Sequence, residues 1–335
     1  MSDPDRIHRA RAEGMLPELP ALHIRPAADV AGAMIEGSRA WQPDRIEHDA
    51  LAARGATIVD TIAGPVPLTI VHHTRNRAET LGLFVEAWDA TEPGGLVALT
   101  GDRTDGMDAT LKRIRTAVEP EGSVAKSHGK LAVMRRGDAR PAVFETFLEE
   151  AAPSRNADGF LTRPGLFSAD GIDDASRLLA ERFDERLKGR AADLGAGWGW
   201  LSLQLLNRSP GIESVTLFEA DRLALDLARG NLADDRARYA WADVARLTPS
   251  VTGGRFDVIV SNPPFHSGRA GQPALGQGFI EAAARLLAPS GSALFVANRH
   301  LPYERTIEAN FAFWEELDGD ARFKLFRTRK PRPRR

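Results

Sequence analysis

The feature that most constrains this chain is the regular exchange of short apolar strands for amphipathic helices over its second half. RAADLG (190–195) reads as a strand, LSLQLLNRS as a helix, SVTLFEA as a strand, DRLALDLARGNL as a helix, and ARYAWAD and FDVIVSN as strands. A helix over Gly278–Leu287, the strand SALFVAN, a helix carrying Ile307, Phe311 and Trp314, and the strand RFKLF complete the series. Strands that alternate with helices cannot pair through hairpins, so they lie parallel and are covered on both faces. The expected fold class is therefore α/β, a doubly wound, mostly parallel sheet. Such sheets bind ligands at the carboxyl ends of their strands.

A second alternation precedes it. ATIVDTI and PLTIVHHT read as strands, Asn76–Ala90 as a helix with Leu81, Val85 and Trp88 on one face, GGLVALTG as a strand, Met107–Val118 as a helix and KLAVMRR as a closing strand. Residues 1–55 have weak periodicity and place no element. His72 and His73 fall on opposite faces of a strand, which suits neither as a joint metal ligand. GDRTDGM, after a strand, reads as a polar turn. The small, polar and Pro-containing run between Glu149 and Gly165 marks a boundary, giving domains over 1–152 and 153–330 and a basic tail over 327–335.

Composition removes several chemistries. The 335 residues include no cysteine, so disulfides, thiolate zinc sites, Cys-ligated iron–sulfur clusters and a Cys nucleophile are excluded. No apolar run approaches the roughly 20 residues that span a bilayer, and MSDPDRIHRARAEG lacks the apolar stretch of a secretion signal, so a cytoplasmic chain without membrane contact is expected. The net charge of −2 argues against binding nucleic acid over the whole surface. The last nine residues nevertheless carry six cations: Arg327, Arg329, Lys330, Arg332, Arg334 and Arg335. Interleaved with Pro331 and Pro333, they read either as an extended phosphate-contacting tail or as a solvated terminus.

Chemistry-bearing residues gather where strands end. In FDVIVSNPPFH (256–266) an apolar strand stops at Asn262, Pro263, Pro264 and Phe265. Prolines fix φ and donate no hydrogen bond, leaving an amide, free carbonyls and a ring face suited to a flat substrate bearing an NH2 group. Pro-Pro that merely ends a strand is the competing reading. Asp193, Gly195, Gly197 and Gly199 form DLGAGWG between a strand and a helix, a tight turn open to a ligand. The dinucleotide pattern G-x-G-x-x-G fails, because its last position from Gly195 is Trp200. An acid just before the glycines suits a cation better than a pyrophosphate, and S-adenosylmethionine, with its ammonium and sulfonium, is such a ligand. Glu219, ending SVTLFE, is placed to take ribose hydroxyls, and Asp243, ending ARYAWAD, to accept from an adenine amine.

DLGAGWG, LFEAD, SNPPFH, VANRHLPYE, RFKLFR and LFSADGIDDAS together resemble the class I S-adenosylmethionine-dependent methyltransferases, most closely the two-domain bacterial small-subunit (16S) ribosomal RNA guanine-N2 methyltransferases of the RsmC type. GMDATLKRIRTAVEP and KSHGKLAVMRR in the first half are similar to that family's inactive duplicated domain. The resemblance implies two tandem Rossmann-like methyltransferase domains, the N-terminal one degenerate and serving RNA grip or folding support. It implies cofactor contacts at Asp193, Gly195, Ala196, Gly197, Glu219, Ala220, Asp243 and Asn262, and a catalytic corner at Asn262, Pro263, Pro264 and Phe265. Asn262 and the Pro263 carbonyl would take the guanine NH2 hydrogens, Phe265 would stack on the base, and His266 would contact base or RNA or hold the loop. No metal is required. The implied partner is ribosomal RNA or an assembling ribosomal subunit, and the chain is expected to be a monomer. Two alternatives stay open: a methyltransferase for a large-subunit guanine or another amino group, and an RNA-binding assembly factor that keeps the fold without turnover.

Overall fold

The computed structural model describes residues 3–264 and 273–333. The chain divides into two compact units, one of Met1–Ser154 with Arg163–Leu166 and one of Arg155–Thr162 with Phe167–Arg335.

In the first unit the elements are α1 (Asp3–Ala12), β1 (Leu22–Ile24), β2 (Arg39–Trp41), α2 (Arg45–Ala53), β3 (Thr57–Val59), β4 (Val66–His72), α3 (Arg77–Ala90), β5 (Thr91–Asp102), α4 (Met107–Ile114), β6 (Gly122–Lys126), β7 (Gly129–Arg135) and α5 (Val143–Ala151). Residues 1–55, unplaced from sequence, thus hold two helices and two strands; the strands are only three residues long, too short to display a period. Helix α3 starts where Asn76 accepts from the Glu79 amide, and it is buried on nearly all sides rather than along the single face its spacing suggested. Helix α4 stops at Ile114, four residues short of Val118. The sheet order is β3-β2-β1-β4-β5-β7-β6.

Two short strands, β8 (Ser154–Arg155) and β9 (Leu161–Thr162), lead to the second unit: α6 (Asp174–Ala180), β10 (Lys188–Leu194), α7 (Trp200–Arg208), β11 (Gly211–Glu219), α8 (Arg222–Asn231), β12 (Ala237–Trp241), β13 (Phe256–Ser261), α9 (Pro273–Leu286), β14 (Leu287–Asn298), α10 (Glu304–Asn310), β15 (Phe311–Leu317) and β16 (Phe323–Pro331). Their order, β12-β11-β10-β13-β14-β16-β15, repeats the first sheet strand for strand. Both units are α/β, and they are tandem copies of one Rossmann-like architecture. The sheets are parallel except at one edge, where β7 and β16 run antiparallel to both neighbours.

Alternation along the central strands builds the two cores. Ala191, Val258 and Val260 pack on one face with Leu217 and Leu294, and Ala192, Leu194 and Ile259 on the other with Phe218 and Phe295. One helix differs from its sequence pattern. Ile307 is helical, but Phe311 and Trp314 belong to β15, because FAFW is rich in strand-forming aromatics and finds an antiparallel partner in β16. The cationic run from Arg327 differs too. It continues β16 to Pro331, with Arg329 paired to Ser292 and Phe313, so residues 327–331 are sheet and not a free extension.

Candidate active site at the carboxyl edge of the second sheet

Strand β10 ends in Asp193 and Leu194 and turns through Gly195, Ala196, Gly197 and Trp198 into α7. Gly195 has φ +75° and Gly197 φ +55°, left-handed values that disfavour other residues. A Cβ at Gly195 would lie 3.0 Å from the Phe279 ring, whereas one at Gly197 would meet nothing within 4 Å. At the first glycine a side chain would crowd the Phe279 ring as well as strain the backbone, and the second faces open space. The loop is held on three sides: the Gly195 and Ala196 amides donate to the Phe218 carbonyl at 2.8 and 3.1 Å, and the Trp198 indole donates to the Phe167 carbonyl at 3.1 Å. Asn231 donates to the carbonyls of Trp198 and Leu161, tying the loop to β9.

Two acids stand beneath this loop. Asp193 is fully buried. Its Oδ2 accepts from the Ser202 hydroxyl at 2.7 Å, and its Oδ1 is buried without a partner among the described residues. Burial, with the nearby Glu219 charge adding to it and the Ser202 hydrogen bond opposing it, pushes its carboxyl up to about 7. Glu219 accepts from the Gly197 amide at 2.7 Å and the Asp221 amide at 2.9 Å. Burial also raises it to about 7, against those same amides. Two acids whose burial disfavours their charged forms lie under a glycine turn, and a cationic ligand bound beside them would favour the charged forms.

Across the edge, β13 pairs with β10 and delivers Asn262 beside the loop. Its Nδ2 donates to Asp173 Oδ2 and to Ser176 Oγ, both at 2.9 Å. Its Oδ1 is buried and has no partner among the described residues. The cleft is lined by Gly195, Ala196 and Gly197 together with Phe167, Asp173, Ser176, Trp200 and Asn262. Pro263 is buried and Pro264 exposed. Phe265 and His266 lie outside the described residues.

The predicted residues are not all gathered here. Asp243 lies off this cleft: it accepts from the Ala245 amide at 2.9 Å, capping the 3-10 turn Val244–Arg246, and pairs with Arg246 at 3.4 Å. The Ala220 carbonyl takes the Trp241 indole at 2.6 Å. Conversely, sequence reasoning gave no role to Asp173 or Ser176. Their signal was present in GIDDAS, where Asp173 accepts from the Ser176 amide at 2.8 Å as a helix cap; what no sequence period reveals is that the same carboxylate also reaches Asn262.

The first unit shows what the same edge looks like without this set. Leu194 pairs with Phe218 as Ile24 pairs with Trp41, and the Arg25 amide donates to the Trp41 carbonyl as that of Gly195 does to Phe218. By that register His23 stands where Asp193 does, Arg25 at the Gly195 position, Gln42 at Glu219 and His72 at Asn262. Helix α1 fills the space. Asp3 Oδ2 takes His72 Nδ1 at 2.6 Å, and His72 Nε2 meets His23 Nδ1 at 3.1 Å. Arg6, 2% exposed, donates to Thr100 and Asp102 at 3.0 and 2.9 Å and pairs with Asp3. His73, one residue on, turns to Thr110 at 2.8 Å.

The repeated strand order, the glycine turn and the acids at strand ends define the second unit as a Rossmann-like methyltransferase domain. The chain belongs to the methyltransferase small-domain family, whose model matches residues 158–327. It is similar to the ribosomal RNA small subunit methyltransferase C of Enterobacter sp. (strain 638), 40% identical over 168 residues that make up 50% of this chain and 48% of the relative. The protein of that name from Klebsiella pneumoniae is 36% identical over 191 residues, 53% of this chain and 55% of its own. The chain thus spans about half the length of the curated relatives it matches. Among solved structures, it is similar to the T. thermophilus 16S rRNA N2 G1207 methyltransferase (RsmC) in complex with AdoMet and guanosine, with a TM-score of 0.77 and 26% identity over 97% of this chain and 91% of that one.

Proposed function

We propose that the second domain transfers a methyl group from S-adenosylmethionine to the exocyclic N2 amine of a guanine in small-subunit ribosomal RNA. The observation that carries the reading is the buried, unpartnered Oδ1 of Asn262 at the mouth of a cleft whose floor is the glycine turn above Asp193. A solved enzyme of similar architecture, in complex with AdoMet and guanosine, supports both ligand classes.

The residues present fit a cationic cofactor. Asp193 Oδ1 lacks a partner among the described residues, Gly197 leaves open space where a side chain would stand, and both acids are raised by burial. When bound, S-adenosylmethionine supplies an electrophilic methyl group on a sulfonium. The loop of Gly195, Ala196 and Gly197 would hold its methionine end above Asp193. Glu219 would take the ribose hydroxyls beside Ala220, and Asp243 the adenine amine through lone pairs that its cap leaves free.

The amine of guanine is a poor nucleophile because its lone pair is delocalised into the ring. Asn262 Oδ1 and the Pro263 carbonyl, accepting its two hydrogens, would localise that pair and stabilise the positive charge that develops as the new bond forms. Holding both reactants in one cleft removes much of the entropic barrier. Pro264 stiffens the corner, and Phe265 is assigned base stacking by the resemblance alone. The substrate is ribosomal RNA, free or in an assembling subunit, met by a monomer in the cytoplasm. The first domain, over residues 1–152, serves RNA grip or folding support, and no step needs a metal.

Asn262→Ala tests the reading. Methyl transfer to small-subunit ribosomal RNA should fall about 100-fold, the scale seen on removing one stabilising hydrogen-bond partner, with cofactor affinity by calorimetry changed only a few-fold. Turnover near wild type refutes the role. Mass mapping of RNA from cells lacking the protein should show one unmethylated guanine in the small subunit; a loss in large-subunit RNA would overturn the substrate.

A further inference from the structure

We infer that Asp173 and Ser176 are positioning residues that fix which end of the Asn262 amide faces the substrate. The inference rests on the function proposed above and goes beyond it, to how the acceptor is oriented.

An Asn side chain is nearly symmetric in shape, and turned by half a rotation it would offer the incoming amine a donor, which repels it. Something must select the rotamer. Asp173 Oδ2 already accepts from the Ser176 amide at 2.8 Å, and it lies 2.9 Å from the Asn262 side chain. A carboxylate has only lone pairs, so the atom facing it must be Nδ2. Ser176 Oγ, also at 2.9 Å, occupies the second hydrogen of that nitrogen. Both Nδ2 hydrogens are then used, and Oδ1 is left buried with no partner of its own among the described residues. Leaving an acceptor buried and unpaired costs free energy in the ligand-free protein. Two charge-assisted or hydroxyl contacts on the opposite end hold it there. The cap of α6 is therefore also a lock on the site. Asp173 sits on a helix cap, a rigid point, and Ser176 follows one turn along, so the pair moves with α6 and not with the loop after Pro264.

The test uses the full chain and four substitutions. Asp173→Asn keeps a good helix cap but removes the charge that demands a donor, since an amide can present either end to Asn262. It should lower kcat about tenfold with the KM and calorimetric Kd for S-adenosylmethionine unchanged. Ser176→Ala should lower kcat by about threefold, and Ser176→Thr, which keeps the hydroxyl, should restore it. The decisive measurement is the double variant: if Asp173 acts through Asn262, Asp173→Asn costs nothing further once Asn262 is Ala. Full kcat in Asp173→Asn, or the same tenfold loss on top of Asn262→Ala, overturns the inference. So does weakened cofactor binding with kcat intact, which would make Asp173 a cofactor ligand. Thermal melting separates any of these from simple misfolding, and Ser176→Ala against Ser176→Thr keeps the question answerable if Asp173→Asn melts early. Should Asn262→Ala itself retain turnover, the functional reading fails, a result distinct from any of the above.

Discussion

Asp193→Asn should make the ligand-free second domain more stable while disabling its cofactor site. In the folded chain the Asp193 carboxyl is raised from 3.8 to about 7 by burial, whereas in the unfolded chain it returns to its ordinary value. The folded state therefore binds the extra proton between those two values, and stability falls as pH rises from about 4 to about 7. At about 1.4 kcal/mol per tenfold change in proton affinity, the burial of this one charge costs up to about 4 kcal/mol above pH 7. Asparagine has the same shape, accepts from Ser202 as Asp193 does, and carries no charge, so it resembles the protonated acid. Followed by calorimetry on the ligand-free protein at pH 8, the melting of the second unit should rise by up to about 8–16 °C, at about 2–4 °C per kcal/mol for a unit of this size. At pH 4 the difference from wild type should vanish. Affinity for S-adenosylmethionine should fall at least tenfold at pH 8. Equal or lower melting of the variant at pH 8 would refute the claim that Asp193 is held against its own solvation for the sake of a ligand.

Acid should act on the first unit in the opposite sense. Burial, reinforced by His72 and Arg11, depresses His23 well below 6.5, so its contribution is present above that value and is lost as pH falls. Asp3, lowered well below the carboxylate range by His72 and Arg6 in spite of its burial, adds a second loss below about pH 4. Urea midpoints of the first transition that stay flat from pH 7 to 5 would exclude this. Gly195→Ala should cost about 1–2 kcal/mol from its positive φ, more if Phe279 cannot yield, and should weaken cofactor binding; a silent variant in melting and calorimetry would contradict the packing. Asn231→Ala removes three hydrogen bonds between β9, α8 and the glycine loop, and should lower stability by about 1–3 kcal/mol, read as a drop in urea midpoint; an unchanged midpoint would show the ties to be redundant. Arg329→Gln with Lys330→Gln should reduce the salt dependence of RNA binding without unfolding the sheet, whereas truncation after Phe326 removes half of β16 and should destabilise the unit; an unaltered salt slope for the double variant would remove these cations from the RNA contact.

Much of the fold was legible because parallel strands buried on both faces are continuous apolar runs: RAADL, TLFE and FDVIVS each fall within their observed strands. The antiparallel edge was not, since direction is decided by where the chain returns and leaves no period in the sequence. FAFW misled for a related reason. Its aromatics fit a helical face by spacing, and only the partner β16 makes them a strand. In the site, DLGAG and the acid ending SVTLFE were readable as local patterns. Asp173 and Ser176 were not, because their contact with Asn262 joins positions more than 80 residues apart, at separations of 89 and 86.

The duplication explains why one sheet edge carries a candidate active site and the other does not. Both units bring the same strand ends together, and in both the edge collects polar atoms that the sheet cannot satisfy. In the second unit Asp193 Oδ1 and Asn262 Oδ1 are left without partners among the described residues, a cost that a ligand would offset. In the first unit the corresponding positions are His23 and His72; the chain supplies partners to both ring nitrogens of His72 and to Nδ1 of His23, while His23 Nε2 is left without a partner among the described residues. His72 gives its Nδ1 hydrogen to Asp3, which leaves its Nε2 to accept from His23, while Arg6 closes the ring through Thr100 and Asp102. The φ of +55° at Arg25, where the second unit has Gly195, is a further mark of exchange: the conformation persists, but the side chain that now fills the turn reaches Glu79 at 2.6 Å. A helix that supplies an acid and a guanidinium does for the first edge what a zwitterionic cofactor would do for the second. The first unit gains rigidity from the same geometry that, with its charges left open, makes the second unit receptive.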